Sequence, residues 1–480
     1  MVVGEIAEPV DLLVIGAGPG GYVAALRAAE LGREVVVVER GGEEGGFGGA
    51  CLHVGCIPSK ALIELAQARQ RTETMAAAGL RAGAAEVDLA AFQDWKGSTV
   101  AGLAAGVERL FERNGVQTVE GTARFAGRDR VAVTTPDGRG RFLEFRHAIV
   151  ATGSRPVALA ELPFDGDRVL SSTGALALDE VPGSLAIVGA GYIGLELGIA
   201  FAKLGADVTV AEALDRVLPS VDESLTKPLV RRLGELGIRL RLGSRVRRLE
   251  DDGLVVDGPD GEHKLPAERV IVAVGRVPNT HELGLEAAGL GLDHQGLIAV
   301  DERRLAAPRI AAVGDLTPGP ALAHKASAEA KVAAEALCDR PAAFEPMAIP
   351  VVAFTDPEIA TAGLTEAQAR EAGLDVAVGS ASFASNGRAA TLGEPAGFVR
   401  TVVDRSAERI VGVHAVGPHA SELIAEGTMA IEMVASPDDV LGTIHAHPTL
   451  SESLPASLAE INARPGSPAI APDEVANVGR

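Results

Sequence analysis

The chain has 480 residues, 47% of them apolar and 23% charged, enough for about two to four domains with ample cores. A formal net charge of −21, with no basic tract, argues against a nucleic-acid partner, and no apolar run approaches the roughly 18 residues of a membrane span. Three cysteines are too few for a secreted disulfide scaffold, and the N-terminal segment has no basic stretch before its short apolar run, so the expected location is cytoplasmic.

Residues 11–39, DLLVIGAGPGGYVAALRAAELGREVVVVE, read as strand, tight turn, helix and strand. The turn carries Gly16, Gly18 and Gly21 in GxGxxG spacing directly after an apolar strand. The three glycines suit a tight turn, close approach to a pyrophosphate and close helix–strand packing. Glu39 ends the following strand, where a carboxylate can accept hydrogen bonds from ribose hydroxyls. This stretch predicts a dinucleotide-binding unit.

The next stretch, GGACLHVGCIPSK over 48–60, sets Cys51 and Cys56 five residues apart on a glycine-bounded turn leading into a helical pattern. That spacing is one helical turn plus a residue, and it brings the sulfurs within bonding reach if the first turn distorts. A helix N-terminus also favours thiolate over thiol. Two reduced structural cysteines, half a zinc site with His53, and a redox-active disulfide are all compatible with the spacing. The third is favoured, because no second Cys or His pair lies at finger-like spacing.

The dinucleotide pattern then recurs over 184–212, where Gly189, Gly191, Gly194 and Glu212 each fall 173 positions after Gly16, Gly18, Gly21 and Glu39. Two such units imply two dinucleotides, or a duplication with one dead copy, and the glycines and terminal acid present in both favour the first. A 2′-phosphate at the second unit would meet the Glu212 carboxylate, which favours NAD over NADP, although Arg216 lies four residues on. Short apolar strands at 148–154, 270–279 and 310–316 end in small residues, among them Thr152, Gly153 and Gly275, and return beneath the cofactors. Asp315 sits at the C-terminal end of its strand, where open α/β sheets place ligand-binding groups, or else it is a solvated turn aspartate.

From about 345 the pattern changes to a strand-like start at MAIPVVAF followed by a turn and a helix. Strands near 373–386, 397–403 and 409–416 and helices near 420–435 and 437–444 then predict an α+β domain. The segment His445-Ala446-His447-Pro448-Thr449-Leu450-Ser451-Glu452 admits a metal reading of its HxH, but a histidine held by a carboxylate suits a general acid–base. Residues 463–480 read as a flexible tail, and Cys338 as a spectator.

Two dinucleotide units, a CxxxxC after the first, the segments GYIGLELG and AHKAS, and a terminal HAHPTLSE occur together here. In this combination, from about 11 to 458, the chain resembles the flavin-dependent pyridine nucleotide–disulfide oxidoreductases, and among them the members acting on protein-bound dihydrolipoyl groups. The resemblance implies an α/β fold of two Rossmann-like dinucleotide-binding domains plus a C-terminal α+β dimerisation domain. The implied boundaries are 1–153 for FAD, 154–278 for NAD, 279–345 for a segment completing the FAD domain, and 346–462 for dimerisation. It implies FAD on the first unit, with Asp315 on the ribityl–phosphate side, and NAD on the second. It further implies that Cys56 lies beside the flavin, that Cys51 meets the substrate, and that Lys60, paired with Glu196, approaches the flavin.

By the same resemblance His447, oriented by Glu452, reaches the disulfide from the other subunit of a homodimer. The implied partners are the lipoyl domain and the subunit-binding region of a 2-oxoacid dehydrogenase acyltransferase. The implied alternative is another NAD(P)H-dependent reductase of low-molecular-weight disulfides. Two positions depart from the family pattern: Ala50 replaces a usual threonine and His53 a common asparagine.

Overall fold

The structure, a computed structural model, describes residues 7–42, 45–81, 83 and 85–463. Of the tail expected over 463–480, residues 464–480 lie outside the described residues, as do Glu43 and Glu44, whereas Ala463 ends the helix Ser453–Ala463. The chain forms two compact units, one of 1–189, 200–211 and 244–345, the other of 190–199, 212–243 and 346–480.

In the first unit, a sheet runs in the order Leu305–Ala307, Ile310–Ala312, Gly140–Val150, Glu8–Ile15, Val35–Glu39, Gln117–Glu120. The strands from Ile310–Ala312 to Gln117–Glu120 are parallel, and the inner ones are buried on both faces over Leu12–Ile15 and largely so over Val35–Val38, which is why they read as unbroken apolar runs such as LLVI and VVVV, whereas Gln117–Glu120 is an exposed edge. Helix Pro19–Glu30 and helix Ala323–Leu337 share one core through Ala24, Ala25, Ala28 and Ala330, Ala333, Ala334. Small side chains there let two helices approach closely over one sheet face. An antiparallel hairpin, Thr122–Phe125 and Arg130–Thr134, joins the Gly140–Val150 strand. The same unit holds a second parallel set, Asp207–Ala211, Ser184–Val188, Arg269–Val272 and Val169–Leu170, and a three-stranded antiparallel sheet over 245–266.

The second unit carries a five-stranded antiparallel sheet in the order Val351–Ala353, Glu358–Gly363, Arg409–Gly417, Phe398–Asp404, Val376–Ser382. Helices Ala420–Glu432 and Ser453–Ala463 pack on it through Ile424, Ile431, Leu454 and Leu458. The segment EIATAG, in a stretch expected to hold one strand-like start, a turn and a helix, is a further strand inside this sheet. Its alternation is hidden because its inward residues, Ala360 and Ala362, are small. The strand expected to run to 386 stops at Ser382, where Phe383–Ser385 forms a 3-10 turn. Among the described residues no helix is long and apolar enough to cross a membrane.

One buried histidine in this unit gives stability a pH dependence. His414 is 2% exposed, and its Nε2 lies 3.0 Å from the Leu364 carbonyl oxygen. Burial holds its imidazole below the ordinary histidine range, while the Leu364 carbonyl and the Asp222 charge pull weakly the other way. An unfolded chain accepts this proton near pH 6.5 or so, and the folded chain refuses it down to lower pH. Stability is therefore fully present above about pH 6.5 and falls below it, by up to about 1.4 kcal/mol per pH unit. Urea unfolding at pH 7.5 and 5.5 checks this. His414→Gln should flatten the decline, and an equally steep loss in the variant would contradict the assignment.

Candidate active site

The disulfide segment begins on the first dinucleotide turn. Gly16, at φ +98°, closes the turn against strand Gly140–Val150, and a Cβ there would stand 2.5 Å from the Ala151 carbonyl oxygen. Gly189 repeats this at φ +104° and 2.5 Å from the Ala273 oxygen. The loop Gly45–Gly48 lies on the first turn: Gly48 N–H donates to the Ala17 carbonyl at 2.8 Å, and a Cβ on Gly49 would stand 2.5 Å from Gly18 Cα. Phe47 anchors that loop, its ring edge-on to buried Phe111 at 5.4 Å.

Helix Gly49–Val54 carries Cys51, Gly55 breaks it at φ −133°, ψ −108°, and Cys56 opens the 19-residue helix Cys56–Thr74. The sequence reading expected a turn before the helix. The structure instead divides the motif between two helices, and this break brings the cysteines together with Cα atoms 4.7 Å apart. Cys51 and Cys56 form a disulfide. Of the three readings of their spacing, this is the one realised. Cys51 is half-buried and Cys56 exposed in the single chain. Cys56 sits in the first turn of its helix, where unpaired N–H groups and the helix dipole favour a thiolate once the bond is reduced. Lys60 follows by four residues, on the same helix face, with Nζ 3.5 Å from Ser59 Oγ. His53 is turned away from a zinc role: its Nε2 lies 3.1 Å from the Phe47 carbonyl oxygen, tying the disulfide helix to the loop over the glycine turn.

Asp315 lies in the 3-10 turn Gly314–Leu316 that follows strand Ile310–Ala312, and it is not a merely solvated turn residue. Ser154 Oγ donates to Asp315 Oδ2 at 2.5 Å, and Arg276 Nε donates to that same Ser154 Oγ at 2.7 Å. Nearby, Thr152 and Gly153 are stitched to Asn279: Thr152 Oγ1 donates to the Asn279 carbonyl at 2.9 Å, and Asn279 N–H to the Gly153 carbonyl at 2.8 Å. Gly275 carries φ +129° and accepts from Val157 N–H at 3.1 Å. Ser154, Arg276 and Asn279 escaped the sequence reading, because nothing local in the chain links 154 to 276 or 315.

In the second unit His447 and Glu452 come together, with Nδ1 2.9 Å from Oε1. The other Glu452 oxygen accepts from Thr449 N–H at 2.8 Å. The Thr449 amide and then His447 hold this carboxyl below the usual carboxylate range. His447 is 80% exposed, so its Nε2 is open to a ligand. Its neighbour His445 differs: Nδ1 lies 2.9 Å from the Thr443 carbonyl oxygen and Nε2 2.7 Å from Glu426 Oε1. Both its nitrogens face acceptors, so of these two histidines His447 is the one that presents an open ring nitrogen. Asn386, unmarked in the sequence, steadies the segment by donating from Nδ2 to the Thr449 carbonyl at 3.0 Å. Glu196 is buried at 3% exposure, with Oε1 accepting from Phe354 N–H at 2.9 Å. Among the described residues no group of three or more His, Cys, Asp or Glu could hold a metal ion. Cys338 is a half-buried free thiol.

Residues 10–330 match the pyridine nucleotide-disulphide oxidoreductase family, and residues 349–458 match the dimerisation domain of the same family. The chain belongs to the pyridine nucleotide-disulphide oxidoreductases. The dimerisation domain supports a homodimer. Relatives named dihydrolipoyl dehydrogenase include those of Halobacterium salinarum, 47% identical over 94% of this chain and 96% of the relative, and of Geobacillus stearothermophilus, 45% identical over 94% and 96%. Among solved structures, LpdA from Mycobacterium tuberculosis is similar with a TM-score of 0.86 and 29% identity, covering 94% of this chain and 99% of that one.

The cofactors of this family, FAD and NAD, fit the two turns. Helix Pro19–Glu30 starts at Gly18 with no side chain capping it, leaving its first N–H groups to a pyrophosphate. A Cβ at Gly191 would meet nothing within 4 Å, so the second turn is equally open. The acids at the strand ends are fixed alike, Glu39 Oε2 accepting from Ala17 N–H and Glu212 Oε2 from Ala190 N–H, both at 2.6 Å. Glu212 Oε1 also accepts from Leu214 N–H at 2.8 Å. Arg216, which could have served a 2′-phosphate, donates instead to the Val221 carbonyl. A 2′-phosphate would face a carboxylate held in place, a like-charge approach costing several kcal/mol. We expect kcat/KM for NADP+ to lie on the order of 100-fold below that for NAD+. Glu212→Ala should narrow the ratio in steady-state assays, and an unchanged ratio would contradict the role.

Proposed function

We propose that the protein is a dihydrolipoyl dehydrogenase, oxidising dihydrolipoyl groups to lipoyl with NAD+ as the final acceptor. The observation that carries this is the Cys51–Cys56 disulfide, set on a helix break directly beside the first dinucleotide turn. The substrate is a pair of thiols on a short carbon chain, and a neighbouring disulfide is its natural oxidant.

In this reading His447 Nε2 removes a proton from one substrate thiol, and Glu452 keeps Nδ1–H oriented and balances the imidazolium. The substrate thiolate attacks Cys51 Sγ, the Cys51–Cys56 bond breaks, and the Cys56 thiolate leaves at its helix N-terminus. The second substrate thiol attacks the mixed disulfide, closes the lipoyl ring and releases Cys51, so two electrons now reside in the protein's thiols. Lys60, one turn after Cys56, places a positive charge on the face where that thiolate forms. FAD, when bound, would supply the two-electron carrier between these thiols and NAD+. Gly16, Gly18, Gly21 and Glu39, with Thr152, Gly153 and Asp315, hold the FAD side. Gly189, Gly191, Gly194, Glu212 and Gly275 hold the NAD side, and Glu196 is the charged partner on the flavin side.

Within the homodimer, His447 of one copy serves the disulfide of the other, which makes dimerisation necessary for turnover. The protein works in the cytoplasm on lipoyl domains, docked to the subunit-binding region of a 2-oxoacid dehydrogenase acyltransferase. Initial rates on the flavin-loaded protein with dihydrolipoamide and NAD+ test the reading. Fast NAD+ reduction supports it. A silent assay beside strong NADPH-dependent reduction of glutathione or mycothiol disulfide would overturn it in favour of a low-molecular-weight disulfide reductase.

A further inference from the structure

Behind Asp315 lies a charged cluster that the chemistry above does not use. Lys325 and Glu329, on helix Ala323–Leu337, are 2% and 0% exposed. Glu329 Oε1 lies 3.0 Å from Arg304 Nη1 and 3.2 Å from Lys325 Nζ. Glu329 Oε2 accepts from Gly314 N–H at 2.7 Å, and Thr317 Oγ1 stands within 3.2 Å of both carboxylate oxygens. Lys325 Nζ also donates to the Gly314 carbonyl and to Thr317 Oγ1, each at 3.1 Å. All three ammonium hydrogens are thereby used. The pair grips both backbone polar groups of Gly314, immediately before Asp315, and the hydroxyl two residues after it.

Such a cluster is a poor device for stability alone. Well-packed apolar residues of similar volume are often as stabilising as a buried ion pair, or more so. Arg304 moreover adopts φ +63°, a strained conformation for a side chain of its size, with its guanidinium 4.9 Å over the Phe344 ring. Desolvation and strain together are tolerated where a position must be fixed. What is fixed here is the turn Gly314–Leu316, whose Asp315 carboxylate is braced on its other side by Ser154 and Arg276.

We propose that Glu329, with Lys325, Arg304 and Thr317, is a positioning set that presents the Asp315 carboxylate to the hydroxyl-bearing ribityl chain of FAD. This rests on FAD occupying the first dinucleotide turn. The set does not touch the cofactor. It acts through the Gly314 peptide, so its loss lowers flavin affinity by letting Asp315 wander.

The test is FAD titration of the apoprotein, followed by quenching of flavin fluorescence, with far-UV circular dichroism confirming the fold of each variant. Thr317→Val keeps volume and charge while removing the hydroxyl, and should raise the FAD dissociation constant roughly tenfold. Glu329→Gln leaves two buried cations uncompensated and should raise it on the order of 100-fold. In an Asp315→Asn background both changes should have little further effect, because the carboxylate they position is gone. A purely structural role would give the same loss with and without Asp315, and that result, or wild-type FAD affinity in folded Thr317→Val, overturns the proposal. If Glu329→Gln fails to fold, Thr317→Val and its combination with Asp315→Asn decide alone. A wild-type apoprotein that takes no FAD would refute the cofactor reading itself.

Discussion

Replacing Cys51 with serine is expected to abolish dihydrolipoamide-dependent NAD+ reduction, by on the order of 10⁴-fold or more, while FAD stays bound. Serine matches the thiol in size but cannot form the bond that stores two electrons. The loss should be complete in kcat, not expressed as a higher KM, because the removed step is chemical. FAD should remain because the residues proposed to cradle it, Gly16, Gly18, Glu39 and Asp315, make no use of the Cys51 sulfur. Stopped-flow and steady-state rates on the variant, with its flavin absorbance, check both halves. Near-normal turnover would remove Cys51 from the reaction, and loss of flavin would show the change to be structural.

His447→Gln is the second change of large effect. A positioned general base contributes about 10²- to 10⁴-fold, and glutamine keeps a hydrogen-bonding side chain while losing the ability to take a proton. The deficit should be greatest at neutral pH and shrink as pH rises toward thiol ionisation near pH 8.5 or so, because the substrate then arrives as thiolate. Glu452→Gln should cost less, since it removes only the group that orients Nδ1–H and balances the imidazolium. The Thr449 amide and His447 hold the Glu452 carboxyl below the ordinary range, so this support is present from neutral pH down past the usual glutamate value and is lost only in stronger acid. A pH–rate profile of kcat/KM for wild type and His447→Gln measures this. A constant deficit across the range would mean that His447 does not act by moving the substrate proton.

The features legible in the sequence are those whose signal is local. The glycines at 16, 18 and 21, and again at 189, 191 and 194, sit where a strand turns directly into a helix, so the chemistry and the fold share one short stretch. The Cys51–Cys56 spacing likewise contains its own geometry, with Gly55 supplying the break between two helices. HAHPTLSE held both members of the His447–Glu452 pair within one loop. What stayed hidden depends on residues far apart in the chain. The bracing of Asp315 draws on Ser154 and Arg276, and the buried cluster behind it on Arg304, Thr317, Lys325 and Glu329. Apart from Lys325, which lies in the AHKAS segment, each reads as an ordinary surface polar residue until the sheet assembles. The strand EIATAG was missed because alanine and glycine carry little periodic signal, although packing makes it central.

In the proposed reaction the Cys51–Cys56 pair is the first acceptor of the substrate's electrons. Anaerobic mixing of the flavin-loaded protein with one equivalent of dihydrolipoamide, quenched into an alkylating agent and mapped by mass spectrometry, addresses this directly. Cys51 and Cys56 should become alkylated together as lipoamide appears, Cys338 labelling should be unchanged by substrate, and NAD+ added before the quench should restore the protected disulfide. Lipoamide formed with Cys51 and Cys56 still joined would contradict the proposed reaction, because the electrons would then have bypassed the disulfide.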